Sequence, residues 1–267
     1  MNISGSKVLI TGATGGIGEA LARAFHERGA QLLLSGRRGE VLTPLAAELG
    51  AEALVADLAE RSDLERLVAA AAEVDVLIAN AALPASGRLL ELSQNQIDTM
   101  LEVDLRAPIA LARALAPAMA SRGRGHIVLM SSLSGKAAAP ASSIYSAAKF
   151  GLRGFAHGAR ADLRGTGVGV SVVMPGFVRD AGMFADAGAK LPPGVGTSSP
   201  AEVVAGVISA IEQDRGEVTV APLGLRLGAS FAALAPGLAA TAQRLLGGGA
   251  VAKRIAAKQT DKRPHDS

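Results

Sequence analysis

Residues 7–18 of the 267-residue chain, KVLITGATGGIG, carry a short apolar run directly into a glycine-rich turn. The apolar run fits a buried strand, and a helical pattern begins at residue 17, immediately after the turn. Such a turn lets backbone N–H groups approach a phosphate, and the start of the helix adds a favourable dipole. A tight glycine turn that holds no ligand is the alternative. A Walker A loop is excluded, because Glu19 and not a lysine follows Gly18.

The alternation of short apolar runs and longer helical patterns continues along the chain. Strands are predicted at residues 7–10, 31–35, 53–56, 74–79, 126–131, 169–174 and 217–220. Helices are predicted at residues 17–29, 40–49, 62–72, 93–119, 142–163 and 201–214, with caps at Ser62 and Ser93. Strands that are apolar on both faces and separated by helices form parallel sheets. We therefore predict an α/β fold, a Rossmann-like doubly wound parallel sheet flanked by helices, in one domain over residues 1–220.

Composition excludes several classes of function. Cysteine is absent and the four histidines lack metal-ligand spacing, so neither a disulfide framework nor a metal site is expected. Aromatic residues make up only 3% of the chain, and five basic against two acidic residues after position 250 account for the whole net charge of +3. A neutral body with few aromatics predicts no nucleic-acid partner. We recognise no signal peptide and expect a cytoplasmic protein.

The residue that follows the second predicted strand indicates which nucleotide would bind. In dinucleotide sites an acidic residue there accepts the ribose 2′-hydroxyl, whereas an arginine accommodates a 2′-phosphate. The segment 35–38, SGRR, offers no acid. We therefore predict that Arg37 binds the 2′-phosphate and that NADP(H) is preferred, with NAD(H) as the second cofactor. A solvated basic turn is the alternative.

Tyr145 and Lys149 lie four residues apart in a predicted helix, so the phenol and the ammonium share one face. A phenol with a pKa near ~10 is a poor acid–base group at neutral pH, and the neighbouring cation is expected to lower the pKa of Tyr145. Ser132 follows the fifth predicted strand, at the edge where doubly wound sheets place their sites. An ordinary amphipathic helix and a turn serine are the alternatives. No Gly-x-Ser-x-Gly surrounds Ser132, which disfavours a serine hydrolase.

Taken in order, these segments resemble the short-chain dehydrogenase/reductase family, in its single-domain branch. The matching segments are Thr11-Gly-x-x-x-Gly-x-Gly18, Asp57-Leu58, Asn80-Ala81-Ala82, Ser132, Tyr145-x-x-x-Lys149 and Pro175-Gly176. The resemblance implies hydride transfer between NADP(H) and a small-molecule carbonyl or secondary alcohol. It implies that Tyr145 exchanges the proton of the substrate oxygen, Lys149 holds the nicotinamide ribose and Ser132 bonds the substrate oxygen.

The resemblance also implies the cofactor contacts. It assigns the pyrophosphate turn to Gly12, Thr14, Gly15, Gly16, Ile17 and Gly18. It places the adenine against Asp57 with Leu58 beside it, and the rest of the cofactor along Asn80, Ala81, Tyr145, Lys149, Pro175, Gly176 and Val178.

Four positions depart from the family pattern. The catalytic asparagine of the family aligns with Asp104, whose carboxylate cannot donate a hydrogen bond unless it is protonated. Ala82 replaces a glycine, and Asp180 replaces a threonine that contacts the carboxamide. Gly15 stands where branches that favour NADPH often carry a basic residue. Asp104 and Asp180 keep open an alternative from another class, a non-catalytic NADP(H)-binding regulatory protein on the same fold.

Two segments lie outside the regular alternation. Residues 176–200 are rich in glycine, proline and apolar side chains, and are expected to form a lid over an apolar substrate. Residues 221–267 are expected to form an apolar helical extension, packed on the body or another subunit, with a basic, disordered end. Contact of this tail with a membrane surface is the less favoured alternative.

The alanine- and leucine-rich helices 93–119 and 142–163 predict a homo-dimer or homo-tetramer.

Overall fold

The computed structural model describes residues 1–84, 87–188, 191 and 195–245. Its strands are β1 (Lys7–Thr11), β2 (Gln31–Gly36), β3 (Glu52–Val55), β4 (Val76–Ala79), β5 (Gly125–Met130), β6 (Val168–Pro175) and β7 (Glu217–Val220). They form one parallel sheet in the order β3-β2-β1-β4-β5-β6-β7. The order reverses between β1 and β4, and ligands of such sheets bind at the carboxyl edge beside that switch point. The predicted doubly wound fold is confirmed.

Helices cover both faces of the sheet. They are α1 (Gly16–Glu27), α2 (Gly39–Glu48), α3 (Arg61–Ala70), α4 (Gln94–Leu101), α5 (Ala107–Ser121), α6 (Ser143–Asp162), α7 (Gly182–Ala187) and α8 (Pro200–Glu212). Ile10 faces a core layer built with α1, α2 and α8, whereas its neighbour Leu9 faces a second layer built with α3, α5 and α6. Alternate strand residues thus enter opposite layers, which is why the strands are apolar on both faces.

One predicted helix cap is confirmed and one is wrong. Ser93 caps α4 by accepting the N–H of Gln96, whose side chain in turn accepts the N–H of Ser93. Ser62, however, lies inside the first turn of α3, and Glu60 is the cap residue. The turn before α3 is closed instead by Asp63, whose carboxylate accepts the Asp57 N–H at 2.8 Å.

The predicted helix 93–119 contains a wide turn. α4 and α5 are joined by one π-helical turn, Glu102–Arg106. Pro108 stands at the start of α5. Proline has no N–H, and its ring clashes with the carbonyl four residues earlier, which here belongs to Asp104. The proline therefore accounts for the widened turn at the position of Asp104, a predicted site residue.

Two further helices follow β7, as the predicted extension requires: α9 (Leu223–Leu234) and α10 (Pro236–Leu245). The predicted basic, disordered end falls on residues 246–267, which lie outside the described residues. In the part of the chain that the structure describes, no helix is both long and apolar enough to cross a membrane.

Candidate active site

The glycine-rich turn lies at the carboxyl end of β1 and is closed by its own backbone. The Gly15 N–H donates to the Gly12 carbonyl at 3.1 Å, and the Ala13 N–H donates to the Ser35 carbonyl of β2 at 3.0 Å. Gly12 has a φ of 67°, in the left-handed region that glycine adopts without strain. The turn is therefore fixed to both β1 and β2.

Two glycines of this turn sit where no larger residue fits. A Cβ on Gly18 would lie 2.1 Å from the Gly12 carbonyl oxygen. A Cβ on Gly16 would lie 2.8 Å from the Cβ of Ala181. A Cβ on Gly15, by contrast, would meet nothing closer than 3.5 Å. Gly16 and Gly18 are thus required by close approach of the chain, and Gly15 is not.

The same turn fits a phosphate group. α1 begins at Gly16, and no side chain caps its N-terminus in the described structure. The first N–H groups of a helix have no intrahelical acceptor, so those of Gly16, Ile17 and Gly18 can donate to an anion. Among the described residues there is also no acidic and histidine cluster that could hold a metal ion. The donor set suits the pyrophosphate of a dinucleotide.

Two arginines follow β2, and they make different contacts. The Arg37 guanidinium pairs with the Asp57 carboxylate at 3.7 Å, and the arginine side chain is largely exposed. The Arg38 guanidinium donates to the Thr14 carbonyl of the glycine turn. Sequence reasoning selected Arg37 alone, and nothing in the sequence distinguished it from Arg38. Both cations therefore contact residues that are predicted to bind the cofactor, Asp57 and Thr14.

Asp57 and Leu58 lie in the turn between β3 and α3. The Asp57 carboxylate accepts the Ala59 N–H at 3.0 Å, while the Leu58 side chain is buried. The predicted adenine position is thus a half-buried carboxylate beside an apolar side chain, at the same edge as Arg37.

Thr11 and Asn80 join the ends of β1 and β4. The Thr11 hydroxyl oxygen accepts the N–H groups of Asn80 and Ala81, both at 3.1 Å. The Asn80 amide donates to the carbonyls of Thr11 at 3.1 Å and Gly12 at 3.3 Å. Ala81 is held so close that a Cβ on Gly12 would lie 2.7 Å from its Cα. Sequence reasoning missed this role of Thr11, although the residue stands at the end of the quoted strand.

The structure brings the predicted catalytic residues together at the ends of β5 and α6. The Lys149 ammonium lies 5.4 Å from the centre of the Tyr145 ring and donates to the Met130 carbonyl at 3.2 Å. Ser132 lies close enough to Tyr145 for its hydroxyl to lower the pKa of the phenol. Ser131, which sequence reasoning did not select, donates its hydroxyl to the Lys149 carbonyl at 2.9 Å and so ties α6 to β5.

Asp104 lies fully buried on the π-helical turn next to this group. Its Oδ1 accepts the Leu83 N–H at 2.6 Å, and its Oδ2 has no hydrogen-bond partner in the described structure. Burial raises the pKa of Asp104 to about 6, although the nearby Lys149 ammonium opposes the rise. The Asp104 charge in turn raises the pKa values of Lys149 and Tyr145.

The expected direction of the Tyr145 pKa is wrong. Burial raises the pKa of the phenol, the Asp104 charge raises it further, and only the hydrogen bond from Ser132 lowers it. Lys149 does not compensate, because burial also lowers the pKa of its ammonium and the group lies over the ring rather than at the hydroxyl. In this arrangement Tyr145 is a protonated acid at neutral pH.

The end of β6 forms the far wall of the site. The Gly176 N–H donates to the Val220 carbonyl at 2.9 Å, and Val178 is buried, bridged to Ser198. Pro175 is the last residue of β6. Asp180 has a φ of 65° and an exposed side chain. Part of the predicted lid, residues 189–190 and 192–194, lies outside the described residues.

Comparisons with known proteins identify the family. A family model described as short chain dehydrogenase matches residues 6–191. The ketoacyl reductase HetN of Nostoc sp. is 36% identical over 227 residues, which cover 82% of this chain and 79% of that protein. A short-chain dehydrogenase from Sphingobium yanoikuyae, solved in complex with NADPH, has a TM-score of 0.76 at 30% identity. The match covers 91% of this chain and 95% of that chain. A short-chain dehydrogenase from Burkholderia cenocepacia, solved in complex with NADP, has a TM-score of 0.77 at 28% identity. The match covers 90% of this chain and 98% of that chain.

The fold and the residues at its carboxyl edge define a class, the Rossmann-like oxidoreductases. Within that class the chain belongs to the short-chain dehydrogenase/reductase family, and the predicted resemblance is confirmed.

Proposed function

We propose that this protein is an NADP(H)-dependent reductase or dehydrogenase that acts on a carbonyl or secondary alcohol, with Tyr145 as the general acid and base. One observation carries the proposal. A phenol, an ammonium and a hydroxyl meet at the carboxyl edge of the sheet, beside a glycine turn with free N–H donors. A binding protein would need the turn but not the three catalytic groups.

The chain's own residues would move one proton. In reduction the Tyr145 phenol gives its proton to the substrate oxygen, while the Ser132 hydroxyl orients that oxygen; in oxidation the proton returns to Tyr145. The Lys149 ammonium lies over the phenol ring, 5.4 Å from its centre, and the Asp104 carboxylate balances that buried ammonium. NADP(H), when bound, supplies or accepts the hydride. Its pyrophosphate would lie on Gly12, Thr14, Gly15, Gly16, Ile17 and Gly18, its adenine on Asp57 and Leu58, and its remainder along Asn80, Ala81, Pro175, Gly176 and Val178.

The substitution Tyr145→Phe tests this role. Because it removes the proton donor and keeps the ring, we expect NADPH consumption with a panel of ketones and aldehydes to fall by roughly 10²–10⁴-fold. Binding of NADPH, followed by its fluorescence, should persist. Ser132→Ala should also lower turnover, whereas Ser134→Ala, in the same short turn, serves as the matched control. Retained turnover in Tyr145→Phe would remove the phenol from its assigned role.

The choice of NADP(H) follows from the basic residues after β2. Arg37 pairs only weakly with Asp57 at 3.7 Å, so its guanidinium is available for a 2′-phosphate. We expect NADPH to bind more tightly than NADH in a fluorescence titration, and Arg37→Asp to reverse that order by on the order of tenfold or more. Arg38→Gln is the matched comparison, since that arginine already contacts the Thr14 carbonyl. Equal affinities in the unmodified protein would contradict this choice.

A non-catalytic NADP(H)-binding regulatory protein is the second candidate. It is favoured by Asp104 and Asp180, where the family has an asparagine and a threonine. The same NADPH assay separates the two functions. Tight NADPH binding without turnover of any carbonyl in the panel would favour the regulator.

The substrate we propose is a largely apolar carbonyl or alcohol. The Phe177 and Phe184 rings pack 5.0 Å apart in the segment after β6, and Leu133 and Leu225 lie against Gly176. Acyl, aromatic and steroid-like carbonyls all fit such walls, and the ketoacyl reductase among the relatives favours an acyl carbonyl.

The lack of cysteine fits the cytoplasm, where we place the enzyme. A homo-dimer or homo-tetramer through α5 and α6 also remains our proposal.

A further inference from the structure

Glu217, the first residue of β7, binds cations from two different elements. Its Oε1 accepts the Lys136 ammonium at 2.6 Å, and its Oε2 accepts Nε of Arg153 at 2.7 Å. His157 Nε2 lies 3.0 Å from the same Oε2. Burial raises the pKa of Glu217, but these three side chains outweigh burial and lower it to about 2. At neutral pH the carboxylate is therefore a fixed negative charge between an ammonium and a guanidinium.

The two cations belong to the two elements that carry the proposed catalytic groups. Lys136 ends the short turn that begins at Ser132, and we call this segment the serine turn (residues 132–136). Arg153 lies on α6, eight residues after Tyr145. The carboxylate therefore links the turn that bears the hydroxyl to the helix that bears the phenol.

The serine turn also contacts α6 near its start. The Ser131 hydroxyl donates to the Lys149 carbonyl at 2.9 Å. Gly135 packs so closely that a Cβ there would lie 2.7 Å from the same carbonyl oxygen. These contacts alone would leave the far end of the turn free to swing away from the helix. The Lys136 side chain holds that end, because it reaches the carboxylate on β7 and also donates to the Thr219 hydroxyl at 3.2 Å.

We propose that Glu217 is a positioning residue, which holds the serine turn against α6 and so sets the spacing between the Ser132 hydroxyl and the Tyr145 phenol. The inference rests on the proposed function, in which both groups meet one substrate oxygen. Without the carboxylate, Lys136 and Arg153 would face each other as like charges and push the turn and the helix apart. A displacement of about 1 Å at a reacting group can cost ~10²-fold in rate.

Glu217→Gln tests the inference through kinetics, because the amide keeps the size of the side chain and removes its charge. We expect kcat for carbonyl reduction to fall by on the order of tenfold or more, with the affinity for NADPH unchanged. In a Ser132→Ala background the same substitution should have almost no further effect, because the hydroxyl that it misplaces is already absent. A general structural defect would lower kcat equally in both backgrounds.

Asp214→Asn is the matched control. This carboxylate also pairs with a cation of α6, Arg160 at 2.7 Å, but it holds the helix without a link to the serine turn. We therefore expect kcat to be unchanged in this variant.

Hydrogen exchange measures the hold on the serine turn without any turnover. The N–H groups of Gly135 and Lys136 donate to carbonyls within the same turn at 2.8 and 2.9 Å. We expect these amides to exchange about tenfold faster or more in Glu217→Gln, and at an unchanged rate in Asp214→Asn. Lys136→Met cuts the same link without leaving an unpaired ammonium, so it should reproduce the faster exchange even if Glu217→Gln does not fold.

Two results would overturn the inference. One is unchanged exchange of the serine turn in both Glu217→Gln and Lys136→Met. The other is an equal loss of kcat with and without the Ser132 hydroxyl. Failure of the unmodified protein to reduce any carbonyl is a separate result that contradicts the proposed function, and the exchange rates then still decide whether Glu217 holds the serine turn.

Discussion

The charge of one residue, Asp104, adds to burial in raising the pKa of the neighbouring phenol of Tyr145. An asparagine in this position would carry no charge, whereas the buried carboxylate raises the pKa of Tyr145 and partly offsets the effect of burial on Lys149. A higher pKa keeps the phenol protonated at neutral pH but makes it a weaker acid, so the Asp104 charge opposes proton release from Tyr145.

Replacing that carboxylate should change the pH dependence of both directions. In Asp104→Asn the pKa of Tyr145 falls, because a buried negative charge is removed. We expect the acid limb of the kcat/KM profile for alcohol oxidation to move to lower pH, and reduction to decline at lower pH than in the unmodified protein. Asp98→Asn, which changes an exposed carboxylate on α4, is the matched control. Superimposable profiles would show that Asp104 has no electrostatic role.

Which site residues would meet was predictable, but how they titrate was not. The four-residue spacing of Tyr145 and Lys149 placed both groups on one face, and the structure confirms it. The direction of the phenol's pKa depends on burial and on Asp104, which is 41 residues away in sequence. The orphaned Oδ2 of Asp104 likewise depends on packing that no local pattern encodes.

Among the elements, the glycine turn has the least tolerance for change. In Gly18→Ala the new methyl group would meet the Gly12 carbonyl and the Ala13 Cα, which are backbone atoms that cannot rotate away. We expect a loss of about 2 kcal/mol in the free energy of unfolding, together with weakened NADPH binding. Gly15→Ala has room and is the control. Equal unfolding free energies for the two variants in denaturant titrations would contradict this account of the turn.

Element type followed from the sequence more reliably than element boundaries. Alternation fixed the strand and helix order, because apolar runs of strand length are short and bounded by glycine or polar residues. The π-helical turn was not predicted, although Pro108 indicated a break. The turn also needs the pairing of Asp104 with Leu83, a contact between distant segments. The wrong Ser62 cap has the same cause, since Asp63 bonds back to Asp57.

At the scale of the whole molecule, one buried histidine couples folding to acid. His126 of β5 is hydrogen-bonded through Nε2 to the Ser171 hydroxyl of β6 at 2.8 Å, and that hydroxyl donates to the Arg215 carbonyl at 2.6 Å. Burial lowers the pKa of His126 from 6.5 to about 4. The neutral ring therefore stabilises the fold fully above pH 6.5, and this contribution is lost as the pH falls toward 4.

This linkage predicts an acid sensitivity that one substitution removes. His126→Gln keeps a donor but cannot become charged. Relative to this variant, the unmodified protein should lose on the order of 3 kcal/mol of unfolding free energy between pH 6.5 and pH 4. Denaturant titrations at several pH values measure the difference, and His26→Gln, at an exposed histidine of α1, is the control. A difference that does not vary with pH would refute the linkage.

The single tyrosine and the absence of tryptophan give this protein an unusual optical property. The near-ultraviolet spectrum of the whole chain comes almost entirely from one phenol, and that phenol is the proposed proton donor beside Lys149. Difference absorbance in the near ultraviolet thus follows the ionisation of this one phenol without a label or an isotope. The reduced cofactor absorbs at longer wavelength, so cofactor binding and phenol ionisation can be followed in one cuvette at the same time.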